Sequence, residues 1–137
     1  MLRKMFLIGL MVAVFSMLAP RLGMAAETVL IPFVVELSGS GAPVGVKFDR
    51  GGQMAIEEIN AKGGILKRKI ETFSLDNKSE PPVAVAQMKK AIERKPFAVF
   101  GSVYSACTLV NMAITQQAEI PQFTGSEAPD ITKKGNP

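Results

Sequence analysis

The chain has 137 residues, with 16 Lys+Arg against 12 Asp+Glu, one Cys and neither His nor Trp. Without His there is no Ser–His or Cys–His dyad, no His metal ligand and no titration switch near neutral pH, and one Cys makes neither an internal disulfide nor a Cys-rich metal site. The length allows one domain at most; setting aside Arg3, Lys4 and Arg21 of the N-terminal stretch leaves 13 bases against 12 acids, which removes the electrostatic case for nucleic acid.

Met1 to Ala26 predicts a secretory signal peptide. Arg3 and Lys4 form a positive start, Met5 to Ala19 is apolar apart from Ser16, and Pro20 breaks the run. Small residues follow, so cleavage is expected after Ala25 or Ala26. The apolar run is shorter than the ~18–20 residues that cross a bilayer. No Cys lies near the cleavage region and no Arg-Arg pair precedes it, which speaks against a lipid anchor and a twin-arginine route. Residues 27–137 are then the mature chain, soluble and exported to the periplasm.

Val29–Val35 is a β-branched run interrupted by Pro32, the pattern of a buried strand. Leu37–Gly45 is a loop rich in Gly and Ser. Phe48, Gly52, Ala55, Ile56 and Ile59 recur at helical spacing, so a helix runs from about Val44 to Lys62, where Gly63-Gly64 stops it. Lys69–Leu75 alternates as a second strand, and Asp76–Glu80 is loop. Pro81-Pro82 opens a helix at its first turn, with Val85, Met88 and Ile92 on its buried face and Lys89-Lys90 and Arg94-Lys95 outside. Phe97–Phe100 is a short apolar third strand and Gly101–Tyr104 a turn. Ser105 N-caps a third helix through about Gln117. Ile120–Thr124 is a fourth strand, followed by loop.

The order β-α-β-α-β-α-β predicts an α/β fold with a doubly wound, mainly parallel sheet. Such sheets bind ligands beyond the carboxyl ends of their strands, where strand order reverses. With the order 2-1-3-4, the reversal lies between strands 1 and 3. The loops that matter are then Glu36–Gly45, Gly101–Ser105 and Gly125–Pro129.

The chemistry-bearing residues each carry two readings. Gly39-Ser40-Gly41-Ala42-Pro43-Val44-Gly45 resembles a dinucleotide loop but spaces its third Gly one residue too far, and Pro43 removes a donor. It is either a plain connection or a loop that meets a small ligand with its amides. Ser105 either caps its own helix or joins the helix amides in holding a carboxylate. Glu127 and Asp130 are solvated loop acids or acceptors for a ligand ammonium. Tyr104 covers the sheet edge or stacks on a ligand. Lys67-Arg68-Lys69 reads as a solvated turn. Cys107, without a partner base, reads as a small buried residue.

The string Gly51-Gly-Gln-Met-Ala-Ile-Glu-Glu-Ile-Asn-Ala-Lys-Gly-Gly-Ile65 resembles the G-x-x-L-A-x-E-x-I-N-A-x-G-G-I signature of type I periplasmic binding proteins, in the leucine/isoleucine/valine-binding subgroup of ABC importers. Lys67–Glu71, Asp76 with Glu80-Pro81, Gly101–Ser105, Ile120-Pro121, Ala128-Pro129 and Ile131-Thr132…Gly135 match further family segments in order. The resemblance implies the N-terminal lobe of a bilobed receptor. Such a receptor is no enzyme and needs no cofactor or metal. It clamps a small solute, an amino acid or small carboxylate, and delivers it to an ABC permease in the inner membrane. Ser105 and Ala106 are implied to meet the ligand carboxylate and Gly125 to offer its carbonyl. Ser126 and Glu127 would stand by the α-amino and carboxylate groups, with Tyr104 and Val44 flanking the ligand. Glu127 replaces a hydroxyl residue, Val44 an aromatic one and Lys67 a Gly. The chain ends at Pro137, where the family enters its next strand, so the second lobe is expected to be absent from it, and one lobe alone is expected to bind weakly. A sensory receptor with the same lobe, and a Rossmann-like enzyme, are the competing readings.

Overall fold

The computed structural model describes residues 28–133. The signal peptide expected over residues 1–26 lies outside them. Six strand segments emerge where four strands are expected, because two of the strands are interrupted. Val29–Leu30 (β1) and Phe33–Val35 (β2) are the halves of the first run. They are separated at Pro32, which has no amide to give to a ladder. Ile70–Glu71 (β3) and Ser74–Asp76 (β4) are the halves of the second. The remaining strands are Val99–Phe100 (β5) and Gln122–Phe123 (β6), shorter than the apolar runs that contain them. Phe97 lies before the third strand and is exposed, not buried as a strand residue.

The helices are Ala42–Ala61 (α1), Pro81–Glu93 (α2), Ser105–Gln117 (α3) and Pro129–Lys133 (α4). The last one corrects the expectation of loop after the fourth strand. Pro129 presets its first φ and Ile131 anchors it by burial. α1 ends as expected: Gly63 and Gly64 adopt φ of +104° and +82°, and the Gly64 amide reaches back to the Ile59 carbonyl. The turn that follows closes Ile65 onto Arg68 and holds Lys67 at φ +65°. This left-handed position explains why Gly is the ordinary residue where this chain has Lys.

β4, β2, β5 and β6 form one sheet in that order, parallel throughout, and β1 and β3 make a parallel pair beside it. In terms of the four expected strands the order is 2-1-3-4. Side chains alternate across β2. Phe33 and Val35 face α1, in a core with Ile56 and Ile70, while Val34 faces α2 and α3 with Met88, Ala91 and Val99. Phe33, Phe100 and Phe123 sit in register on three neighbouring strands, and their rings stack at 5.4 and 5.3 Å. On α1 the expected stripe holds for Ile56, Phe48 and Ile59, but Ala55 is exposed. On α2 the fully buried residues are Ala84, Met88 and Ala91, with Val85 and Ile92 half-buried beside them. Among the described residues no helix is long and apolar enough to cross a membrane, and no three potential metal ligands cluster.

Candidate functional site

Strand order reverses between β2 and β5, so the crevice that an α/β sheet offers to ligands opens between the ends of these two strands. Four loops meet there, one from the carboxyl end of each strand of the main sheet. Two glycines let them approach. A Cβ on Gly45 would stand 2.2 Å from the Glu36 carbonyl oxygen. One on Gly101, at φ +106°, would stand 2.2 Å from the Val34 carbonyl oxygen.

A polar belt ties the loops together. The Asp76 carboxylate at the end of β4 accepts the Leu37 and Ser38 amides at 3.0 and 3.1 Å, the Ser38 hydroxyl at 2.6 Å and the Lys78 amide at 2.8 Å. Burial acts to raise its pKa, but these hydrogen bonds outweigh burial and hold the carboxyl below its ordinary value. The Ser79 hydroxyl donates to the Ser38 carbonyl and accepts the Gly41 amide, both at 2.9 Å. The Glu36 carboxylate, fully buried, accepts the Asn77 side-chain amide at 2.7 Å, the Val103 amide at 3.1 Å and the Tyr104 amide at 3.3 Å. Asn77 also donates to the Ser102 hydroxyl at 2.9 Å. The Ser102 carbonyl then gathers the hydroxyls of Thr108, Thr124 and Ser126.

The residues singled out in the sequence fall as follows. Ser105 is the first residue of α3, not its N-cap. Tyr104 occupies the cap with extended backbone and no capping side chain. The Ser105 hydroxyl instead accepts the Ala128 amide at 3.3 Å, so it ties α3 to the loop after β6. Ala106 is exposed in the first turn of α3. Thr108 makes the first intrahelical bond, to the Tyr104 carbonyl. The amides of Ser105, Ala106 and Cys107 therefore precede the hydrogen-bonded run and carry the positive end of the helix. Gly125 is exposed, with room for a Cβ only 3.1 Å from the Phe48 ring. Val44 is exposed one turn before Phe48 on α1. Glu127 is exposed and has no hydrogen-bond partner among the described residues. The Ser126 hydroxyl points inward, to the Val103 carbonyl at 2.9 Å and Thr108 at 2.6 Å, so it braces the loop. Cys107 is buried, and burial first, then the Glu36 carboxylate, pushes its thiol up to about 11. The thiol is thus protonated and unreactive at neutral pH.

Glu36, Asn77, Ser102 and Thr108 are the members that sequence reasoning missed. Their signal was there in part, since Glu36 and Asn77 are the polar residues that close two strands at the very end where the crevice lies. An open groove runs along α3 and β6 past Met112, Thr115 and Gln122, and none of the residues expected at the crevice lines it.

The arrangement brings small polar loops and a helix N-terminus to the opening, and it can hold a small molecule by hydrogen bonds and a dipole. Comparison with known proteins agrees. The family model described as periplasmic binding protein matches residues 28–137. An amino acid binding protein of Pseudomonas aeruginosa is 31% identical over 98% of this chain and 37% of its own length. The Leu/Ile/Val-binding protein of Escherichia coli K12 is 30% identical over 96% of this chain and 35% of its own. Among solved structures, the branched-chain amino acid transporter substrate binding protein LivJ of Streptococcus pneumoniae, in complex with isoleucine, superposes with a TM-score of 0.76. It is 35% identical over 78% of this chain and 31% of its own. The chain spans about a third of the length of the relatives it matches. With this sheet order, this crevice and a family match that runs through the whole described region, the chain belongs to the periplasmic binding protein family and has the fold of a type I lobe.

Proposed function

We propose that the chain is the N-terminal lobe of an extracytoplasmic solute-binding protein that serves an ABC importer, with an amino acid or related small carboxylate as solute. The observation that carries the reading is the first turn of α3, half-buried at Ser105 and exposed at Ala106, at the reversal of strand order. Its amides and dipole suit a carboxylate. Gly125 and Glu127, on the loop that Ser105 ties down through Ala128, suit an ammonium group. Val44 and Tyr104 flank the opening. The apolar leader over residues 1–26 supports export to the periplasm. No step of chemistry and no cofactor is involved: the solute is held between this lobe and a second one and released to a permease.

One lobe supplies half of such a grip, so the chain by itself is expected to bind weakly, with a dissociation constant on the order of 1 mM at best, roughly 4 kcal/mol. Thermal unfolding of the full chain tests this. Leucine or isoleucine at ten times that dissociation constant adds roughly 1.4 kcal/mol, worth about 4 °C or more in the midpoint of a domain this size. NAD is expected to add nothing. A rise with NAD and none with amino acids contradicts the reading.

A further inference from the structure

Glu36 closes β2 at the point where strand order reverses, and water does not reach it. Each of its hydrogen-bond partners is a donor. The Asn77 side chain accepts the Ser79 amide on Oδ1 at 2.9 Å, which turns its NH2 group toward Glu36. The other two partners are the backbone amides of Val103 and Tyr104. All three are donors, a pattern that suits an ionised carboxylate and leaves nothing for a protonated one to donate to. No Lys or Arg forms an ion pair with it among the described residues. A negative charge is therefore fixed behind the crevice, in a setting where salt screens it little.

We propose that Glu36 sets the charge selectivity of the crevice. It removes the Val103 and Tyr104 amides from the set open to a ligand and lays a permanent negative charge behind the first turn of α3. Solutes whose carboxylate is balanced by an ammonium group are accepted, and those with a further negative charge are turned away. This rests on the reading of the crevice as a solute site. Glu127 at the rim acts in the same direction, but it is exposed and its effect fades with salt.

Asparagine and aspartate have one shape and differ by one charge. The test follows the amide resonances of Ser105 and Ala106 in the isotope-labelled full chain, titrated with each solute at about 20 and about 500 mM NaCl, with leucine as the probe of the site itself. Asparagine is expected to bind at least tenfold tighter than aspartate at both salt concentrations, and Glu36→Gln is expected to bring the two within threefold. A wild-type chain that treats the two alike, a gap that vanishes in high salt, or a gap that survives in folded Glu36→Gln overturns the proposal, while leucine shifts keep the site. If Glu36→Gln does not fold, the salt comparison decides alone. Absence of shifts with all three solutes overturns the site reading and the proposal with it.

Discussion

Oε2 of Glu36 accepts the Val103 amide at 3.1 Å, so one buried carboxylate joins the end of β2 to the turn after β5. The strands on either side pair only through Phe33 and Phe100 in this sheet. The carboxylate thus extends the contact between them past the last rung, to the place where the crevice opens. Glu36→Ala strips the Asn77 side chain and two backbone amides of their acceptor. A loss of at least about 2 kcal/mol is expected, since hydrogen bonds to a charged group are worth roughly 1.5–3 kcal/mol each. Urea denaturation at neutral pH reads it as a lower midpoint with an unchanged slope.

Close approach of backbone to backbone sets the second expectation. Gly45→Ala drives a methyl against the Glu36 carbonyl, and Gly101→Ala drives one against the Val34 carbonyl at a positive φ. Neither obstacle is a side chain that can swing away. Each substitution is expected to cost about 1–3 kcal/mol or more, with Gly101→Ala the worse because it adds backbone strain. Gly51→Ala meets nothing within 4 Å and sits inside α1, so it is expected to be neutral or slightly stabilising. The same denaturation series ranks the three.

Asp76 gives the pH dependence. Its folded-state pKa lies below the ordinary value, so the unfolded chain takes up the proton first as pH falls. The stabilisation is present above the unfolded value, near about 4, and is lost as pH drops through the folded one. Asp76→Asn is expected to lower stability at pH 7 and to flatten the acid limb below about pH 4. Midpoints measured between pH 7 and pH 3 check it, and an acid limb of equal steepness in both proteins would contradict the assignment.

Much of this was legible in the sequence. The β-branched run Val29–Val35 gave a buried strand, the helical stripe through Phe48, Ile56 and Ile59 gave α1, and paired glycines and prolines gave boundaries of α1 and α2. Parallel pairing followed from the crossover pattern, and the crevice from taking the order as 2-1-3-4, which the sheet has. What escaped were interactions between residues far apart in the chain. Pro32 marks a break in the first strand, but nothing local says that the ladder stops at Leu30 and resumes at Phe33. Ser105 follows a turn and begins a helix, which fits an N-cap. Its hydroxyl is claimed instead by the Ala128 amide, 23 residues away. Glu36 looked like the first residue of a loop because an acid is rarely buried, and only the donors from Asn77, Val103 and Tyr104 make its burial tolerable.

Ser105 also separates binding from folding. Ser105→Ala removes one partly buried hydrogen bond, worth about 1 kcal/mol, and leaves α3 without a side-chain cap as before. Stability is expected to change little. Leucine affinity is expected to fall about tenfold, the equivalent of roughly 1.4 kcal/mol, because the hydroxyl is withdrawn from the carboxylate and the loop bearing Gly125 and Glu127 loses its tie. A midpoint shift in urea with unchanged leucine binding would place the residue in the scaffold alone.

The crevice as a solute site is the claim on which the functional reading turns, and a crystal structure of the chain grown with leucine addresses it most directly. The account predicts the leucine carboxylate against the amides of Ser105 and Ala106, with its ammonium group toward Gly125 and Glu127. Leucine seated instead in the groove along α3 and β6, beside Met112 and Gln122, with the first turn of α3 untouched, would contradict it.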